Sequence, residues 1–246
     1  MELLNPLLMT AAQYRDEFRD AWKDASRKLS ENRVHDLRVA ARRLGSVLLL
    51  VEAALKRNHS CRARRRIRRL MKRLGALRDL QVQILLVRKW KSSESVKQFL
   101  KTLESAEARE KKRVRDYMQA HGRKWVLQDV KGVERDAAKK IRKIPPATLR
   151  ARIAAALAAQ RDELEKAKTE AGSRSPRSLH ALRTTARKLR YSLEAAGSTL
   201  GAASQSELGN LRRRQTRLGH ERDLQLLEEK YTQWKIGARP RTSSSL

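Results

Sequence analysis

His35-Asp36-Leu37-Arg38-Val39-Ala40-Ala41-Arg42-Arg43-Leu44 returns 145 positions later as His180-Ala181-Leu182-Arg183-Thr184-Thr185-Ala186-Arg187-Lys188-Leu189. A second motif, Leu74-Gly75-x-x-Arg78-Asp79-Leu80-Gln81, returns 144 positions later as Leu218-Gly219-x-x-Arg222-Asp223-Leu224-Gln225. Two separate motifs in the same order at nearly the same offset indicate a duplicated unit. At 100° per residue Val34, Leu37, Ala41, Leu44 and Leu48 fall within an arc of about 80°. That arc is the buried face of a helix, and Leu179, Leu182, Ala186, Leu189 and Leu193 form its counterpart. No segment sustains period-2 alternation, and 10 Gly and 5 Pro in 246 residues leave few turns. The predicted fold is all-α, two helical bundles related by a pseudo-two-fold axis.

Caps and breakers place the helices. Asn5-Pro6 opens an amphipathic run to about 29, and Asn32 can cap a second helix to about 56, with residues 58–60 breaking it. A third helix is predicted over about 62–91 and a long polar helix or helix pair over 94–143, with Gly122 and Gly132 as weak points. Pro145-Pro146 is a firm break before a helix over 148–171. Ser175-Pro176 opens a helix to about 200, and Ser204-x-x-Glu207 resembles a capping box for a last helix to about 231. In one domain over 1–246, the first repeat spans about 5–120, a connecting helix about 123–143 and the second repeat about 147–235. A disordered tail is expected over 238–246. The second bundle is one helix short, or borrows one from 94–143.

The polar stripes carry the chemistry. His35, Arg38 and Arg42 lie within about 60° of one another beside the apolar arc, and His180, Arg183, Arg187 and Arg190 repeat the stripe. Stacked cations repel along a helix, and a purely structural stripe would interleave acids at i±4. Arg38, Arg42, Arg183 and Arg187 have none at these positions. Residues 56–73 hold ten basic residues and no acid, Arg65, Arg69, Lys72 and Arg73 among them, around a narrow apolar line of Ile67, Leu70 and Leu74. The second copy offers Arg213, Arg214 and Arg217. Forked, permanently charged donors in an array suit phosphate oxygens. A histidine beside such arginines is held toward its neutral form, which keeps one N–H donor. For either histidine alone, a capping or hydrogen-bonded role is the plainer reading. Asp79 and Asp223 read as partners that orient Arg78 and Arg222. Gly75 and Gly219, each costing about 1 kcal/mol relative to Ala in a helix, suggest a close approach in both copies. Trp22, Trp90, Trp125 and Trp234 read as packing residues.

With 58 Lys+Arg against 27 Asp+Glu, the net charge is +31, which points to a polyanionic partner. Cys61 alone excludes an internal disulfide framework and a cysteine-cluster zinc site. No apolar run is long enough to span a membrane, and residues 1–7 have no secretory character, so a cytoplasmic protein is expected. No cofactor or metal is implied, and the oligomeric state is not encoded in any visible pattern.

The residues at 35–44, 180–189, 74–79 and 218–223 carry a resemblance to the CHAD domain, the conserved-histidine α-helical domain, over essentially the whole chain. The resemblance implies two antiparallel bundles around a basic central groove or cavity. It further implies inorganic polyphosphate as ligand, without catalysis, and association with polyphosphate granules. Carried over by position, the phosphate contacts are His35, Arg38, Arg42, Arg43, Arg69, Lys72, Arg73 and Arg78 in the first half. In the second half they are His180, Arg183, Arg187, Lys188, Arg213, Arg217 and Arg222. The charge pattern adds Arg65, Arg190 and Arg214. Lys188 replaces a second motif arginine, and Thr184 stands where the first copy has Val39. A helical nucleic-acid-binding protein is the alternative, although only 4% of residues are aromatic and available for base stacking. A phosphohydrolase would need a carboxylate cluster or activated nucleophile that the motifs do not supply.

Overall fold

Apolar residues at three- and four-residue spacing build the helices of the computed structural model, which describes residues 6–57, 60–173, 175–200 and 205–238. They are α1 (Pro6–Arg27), α2 (Glu31–Leu55), α3 (Cys61–Val87), α4 (Glu94–Ile141), α5 (Pro146–Glu170), α6 (Pro176–Leu200) and α7 (Gln205–Ala238). A single 3-10 turn, Ala171–Ser173, follows α5. No strand occurs among the described residues, so the fold is all-α. No helix is long and apolar enough to cross a membrane.

The breakers act largely as the sequence predicts. Pro146 occupies the first turn of α5, where its missing N–H costs nothing. Gly122 adopts φ 60° and ψ 160°, a backbone that other residues resist, and it divides α4 into two limbs. Gly132 does not break the helix. The residue before α2 is Ser30 in extended conformation, so Asn32 lies inside the first turn and is not the cap. The helix α7 continues past Tyr231 to Ala238. Asn5, Asn58, Ser204 and the tail from 239 onward lie outside the described residues, as do the caps and tail expected there.

α2 is the central helix, buried on nearly every turn from Val34 to Leu55 and packed against α1, α3, α4, α5 and α6. α6 lies beside it, burying Leu182, Ala186, Leu189 and Leu193. Leu179, expected in that buried arc, is only half-buried, because Ser178 takes the inward position at the start of α6. The helix contacts map onto themselves when α1, α2 and α3 are exchanged for α5, α6 and α7. α1 packs on α2 as α5 does on α6, α2 on α3 as α6 does on α7, and α1 on α6 as α5 does on α2. α4 falls outside this exchange. Its second limb buries Val126, Val130, Val133, Ala137 and Ile141 in the main core. Its first limb serves both halves. Phe99 and Leu103 join Leu80, Ile84 and Val87 of α3 and Leu227 of α7 in a satellite core. Tyr231 sits 5.0 Å from Phe99 and 5.2 Å from Trp90, ring centre to ring centre, and Trp234 lies 5.4 Å from Phe99. The end of α7 is thus held by the first half, which is how the shorter second half obtains its missing neighbour.

Candidate functional site

Around the periphery, acids are used to tie helices together. Arg15 pairs with Glu134 between α1 and α4, and Arg64 with Glu52 between α2 and α3. Arg66 reaches Asp129 at 2.9 Å between α3 and α4. On the second half, Lys188 holds Glu163 at 2.7 Å, Arg161 grips Glu207 at 2.9 and 3.1 Å, and Arg212 meets Glu194 at 3.1 Å.

The centre is different. Arg38 and Arg42 on α2 face Arg183 and Arg187 on α6, and each of these cations feels the others' charge. Among the described residues, none of the four has a carboxylate within ion-pair distance. Arg38 donates from Nη1 to the Met71 carbonyl at 3.1 Å, and Arg42 lies against the Tyr191 hydroxyl. Arg183 Nε is buried with no hydrogen-bond partner. Burial first, and then mutual repulsion, lower Arg38 to about 10, with Arg42 the chief neighbour. Arg187 is likewise lowered to about 10 by burial and then by Arg42 and Arg183. Burial also lowers Arg42 and Arg183, though Tyr191 opposes the shift at Arg42. Partial burial and the crowding of like charge both disfavour the charged form of these guanidiniums.

Arg78 from α3 and Arg222 from α7 flank the four, each followed by its aspartate. Arg78 is ion-paired to Glu31 and also reaches the Glu31 carbonyl at 3.5 Å. Asp79 and Asp223 sit among these arginines without closing a pair. The Asp223 carboxyl is raised by burial, pulled down by Arg183, and pushed up again by Asp79. His35 and His180 lie at the rim, reaching solvent but partly desolvated. Burial and then Arg78 lower His35; burial and then Arg183, Arg222 and Arg187 lower His180. Both imidazoles are therefore held toward the neutral form, as the sequence implies. The glycines differ. A Cβ at Gly75 would make ordinary contact with Arg38 Nη1 at 3.6 Å, whereas one at Gly219 meets open space, so neither copy shows the close approach the sequence suggests.

The remaining sequence-flagged cations disperse over other faces. Arg43 turns to α1, donating to Glu17 at 3.0 Å beside the Tyr14 ring. Arg69 and Arg73 flank α4, where Arg73 stands 5.8 Å from the Tyr117 ring. Arg65 and Lys72 are exposed on α3, and Arg65 donates to Cys61 Sγ at 3.6 Å. Lys188 is engaged by Glu163, and Arg190 by Glu194 at 3.3 Å, with its guanidinium 4.1 Å from the Tyr191 ring. On α7, Arg213 donates to Asn210 at 2.6 Å, Arg217 pairs with Glu221 at 2.9 Å, and Arg214 lines a separate recess between α5 and α7. The structure thus gathers His35, Arg38, Arg42, Arg78, His180, Arg183, Arg187 and Arg222. It also supplies two residues the sequence reading missed. Glu31 fixes Arg78 only through tertiary packing. Tyr191 has Ser46 at the equivalent place in the first copy, so the repeat gave no signal for it.

A cleft of about 260 Å³ opens beside the cluster between α2, α3 and α6, with Arg42 and Arg187 among its walls. The four-arginine centre can neutralise several closely spaced anionic oxygens at once. Rotating in from α2 and α6, the guanidinium forks address a ligand lying between the helices.

The family model described as CHAD domain matches residues 10–231. Among solved structures, the chain is similar to the crystal structure of the CHAD domain from the plant Ricinus communis, with a TM-score of 0.72 at 15% sequence identity. The match covers 96% of this chain and 80% of that one, and at this identity it speaks for the fold. No curated protein matches the chain.

Proposed function

The chain belongs to the CHAD-domain family, and from that premise we propose that it binds inorganic polyphosphate without cleaving it. The observation that carries this reading is the unpaired arginine centre. Acids are available and are used for ion pairs around the periphery, yet Arg38, Arg42, Arg183 and Arg187 are half-buried together without an ion-pair partner among the described residues. Such an arrangement opposes folding unless a polyanion completes it. Polyphosphate has one negative charge per phosphate along a flexible chain, so successive phosphates meet successive guanidinium forks from the two helices. His35 and His180 add neutral N–H donors at the rim. Release of counterions from the polyanion supplies much of the affinity and makes it fall steeply with salt. The reading carries with it a site of action in the cytoplasm, at polyphosphate granules.

The test is a competition titration at about physiological ionic strength. Labelled long-chain polyphosphate is displaced by unlabelled polyphosphate or by duplex DNA matched in phosphate concentration. A strong preference for polyphosphate that disappears in Arg38→Ala/Arg183→Ala is expected. Equal displacement by DNA overturns the assignment in favour of a generic basic surface. Shortening of the polyphosphate during incubation with Mg²⁺ or Mn²⁺ overturns the non-enzymatic part.

A further inference from the structure

Polyphosphate has no apolar part, yet the cleft beside the arginine centre has an apolar floor. Ala41, Gly45 and Leu49 of α2 form one wall and Ile67 and Met71 of α3 the other, and Arg42 of α2 and Arg187 of α6 also line the cleft. Arg68, also on this cleft, is exposed and without an ion-pair partner among the described residues. Small residues opposite longer, flexible ones leave a slot, and a Cβ built on Gly45 meets no atom within 4 Å. The slot is open space. An apolar recess with a few convergent charged groups is the usual form of a small-molecule site. An inorganic anion would use only the arginines and would leave the recess to water.

We propose that this cleft binds an organic phosphate of the nucleotide class, its ring on the apolar floor between α2 and α3 and its phosphates on Arg42 and Arg187. The inference rests on the polyphosphate reading insofar as both ligands use the same two arginines. It predicts that they compete. The hydroxyls of Ser46 and Thr184, which line the cleft together with Tyr191, Arg64 and Lys188, are polar groups that can meet a ring edge. Met71 is suited to the floor, because a thioether packs adaptably against a flat ring.

The experiment compares ATP with inorganic tripolyphosphate in the absence of divalent metal, by calorimetry on the full chain. Tripolyphosphate carries at least as much charge, so electrostatics alone would favour it. The slot predicts that ATP binds about tenfold tighter. Gly45→Phe fills the slot without a clash at Cβ and should abolish that advantage, while leaving tripolyphosphate and long-chain polyphosphate within about twofold of wild type. Gly45→Ala, which adds one methyl to the helix, should retain it. Retained long-chain binding shows that the Phe variant is folded. Tripolyphosphate binding as tightly as ATP to the wild type overturns this inference, as does an ATP affinity indifferent to Gly45→Phe. Decyl phosphate binding more tightly than ATP would give the floor to an alkyl body and overturn the nucleotide assignment. Failure of long-chain polyphosphate to bind overturns the functional reading itself and leaves the ATP comparison to stand alone.

Discussion

The two copies of the His-Arg and Arg-Asp motifs share a sequence pattern but are held differently. In the first copy the protein provides the supports. Arg38 is fixed by the Met71 carbonyl and lies against Gly75, and Arg78 is locked to Glu31. In the second copy Arg183 Nε is buried without a partner, Gly219 borders open space, and Arg222 has no ion-pair partner among the described residues. The position equivalent to Glu31 is Pro176, which opens α6 and carries no charge. One wall of the site is therefore pre-organised, and the other is left for the ligand to order. If the site takes polyphosphate as proposed, pre-organisation lowers the entropic cost of binding on the first wall, and the second wall's arginines are free of built-in partners to meet the chain.

The largest effect expected is from removing one arginine of each wall. Arg38→Ala/Arg183→Ala should weaken polyphosphate binding about 100-fold or more, since hydrogen bonds to charged groups contribute about 1.5–3 kcal/mol each. Equilibrium titration reads this directly, and a loss confined to Arg38→Ala would mean the second wall is not used. Next, Glu31→Gln should make the first wall resemble the second. Losing a half-buried pair should lower the melting temperature by about 3–6 °C, on a cost of roughly 1–2 kcal/mol. Affinity for polyphosphate should hold or rise as Arg78 is released. A fall in affinity would show that the brace, not the free guanidinium, matters.

The histidines give a smaller effect with a defined sign. Both are lowered in the folded protein. The folded state of the free protein thus resists their protonation, and its stability is full above about pH 6.5 and declines as pH falls through their folded values. Phosphate oxygens favour the imidazolium, so binding takes up protons and affinity should rise a few-fold over the same interval. His35→Gln/His180→Gln should flatten that rise. The smallest effect is that of Pro176→Glu, which offers Arg222 the carboxylate its counterpart has. Stability should increase by about 0.5 kcal/mol, aided by an acid in the first turn of α6, and affinity should decline slightly. Chemical denaturation with and without ligand measures both.

The fold was legible because periodicity and duplication act together. An apolar arc beside a cationic stripe, present twice at one offset, requires helices packed on a common core. The end of α7 was not legible. Phe99, Trp90, Tyr231 and Trp234 meet through tertiary contacts, and nothing local pairs them. The site was legible in part. Arg42 and Arg43 are adjacent in the motif, but 100° apart on the helix. One enters the centre, and the other pairs with Glu17. Similarly, the basic run of α3 divides among three faces. Arg64 and Arg68 line the cleft, Arg66, Arg69 and Arg73 flank α4, and Arg65 and Lys72 face solvent. A helical wheel identifies the apolar face but not which neighbour covers each flank.

On the proposed reading, the half-buried central arginines are kept without ion pairs for an anion at the expense of stability. Thermal melts of wild type and Arg187→Met, each free and saturated with long-chain polyphosphate, test it most directly. Replacing a half-buried cation that has no ion-pair partner by an apolar side chain of similar length is stabilising by roughly 1–3 kcal/mol. The free variant should therefore melt about 3–8 °C above wild type and gain less from ligand. A free variant that melts below wild type, with an undiminished shift on adding polyphosphate, would contradict the account.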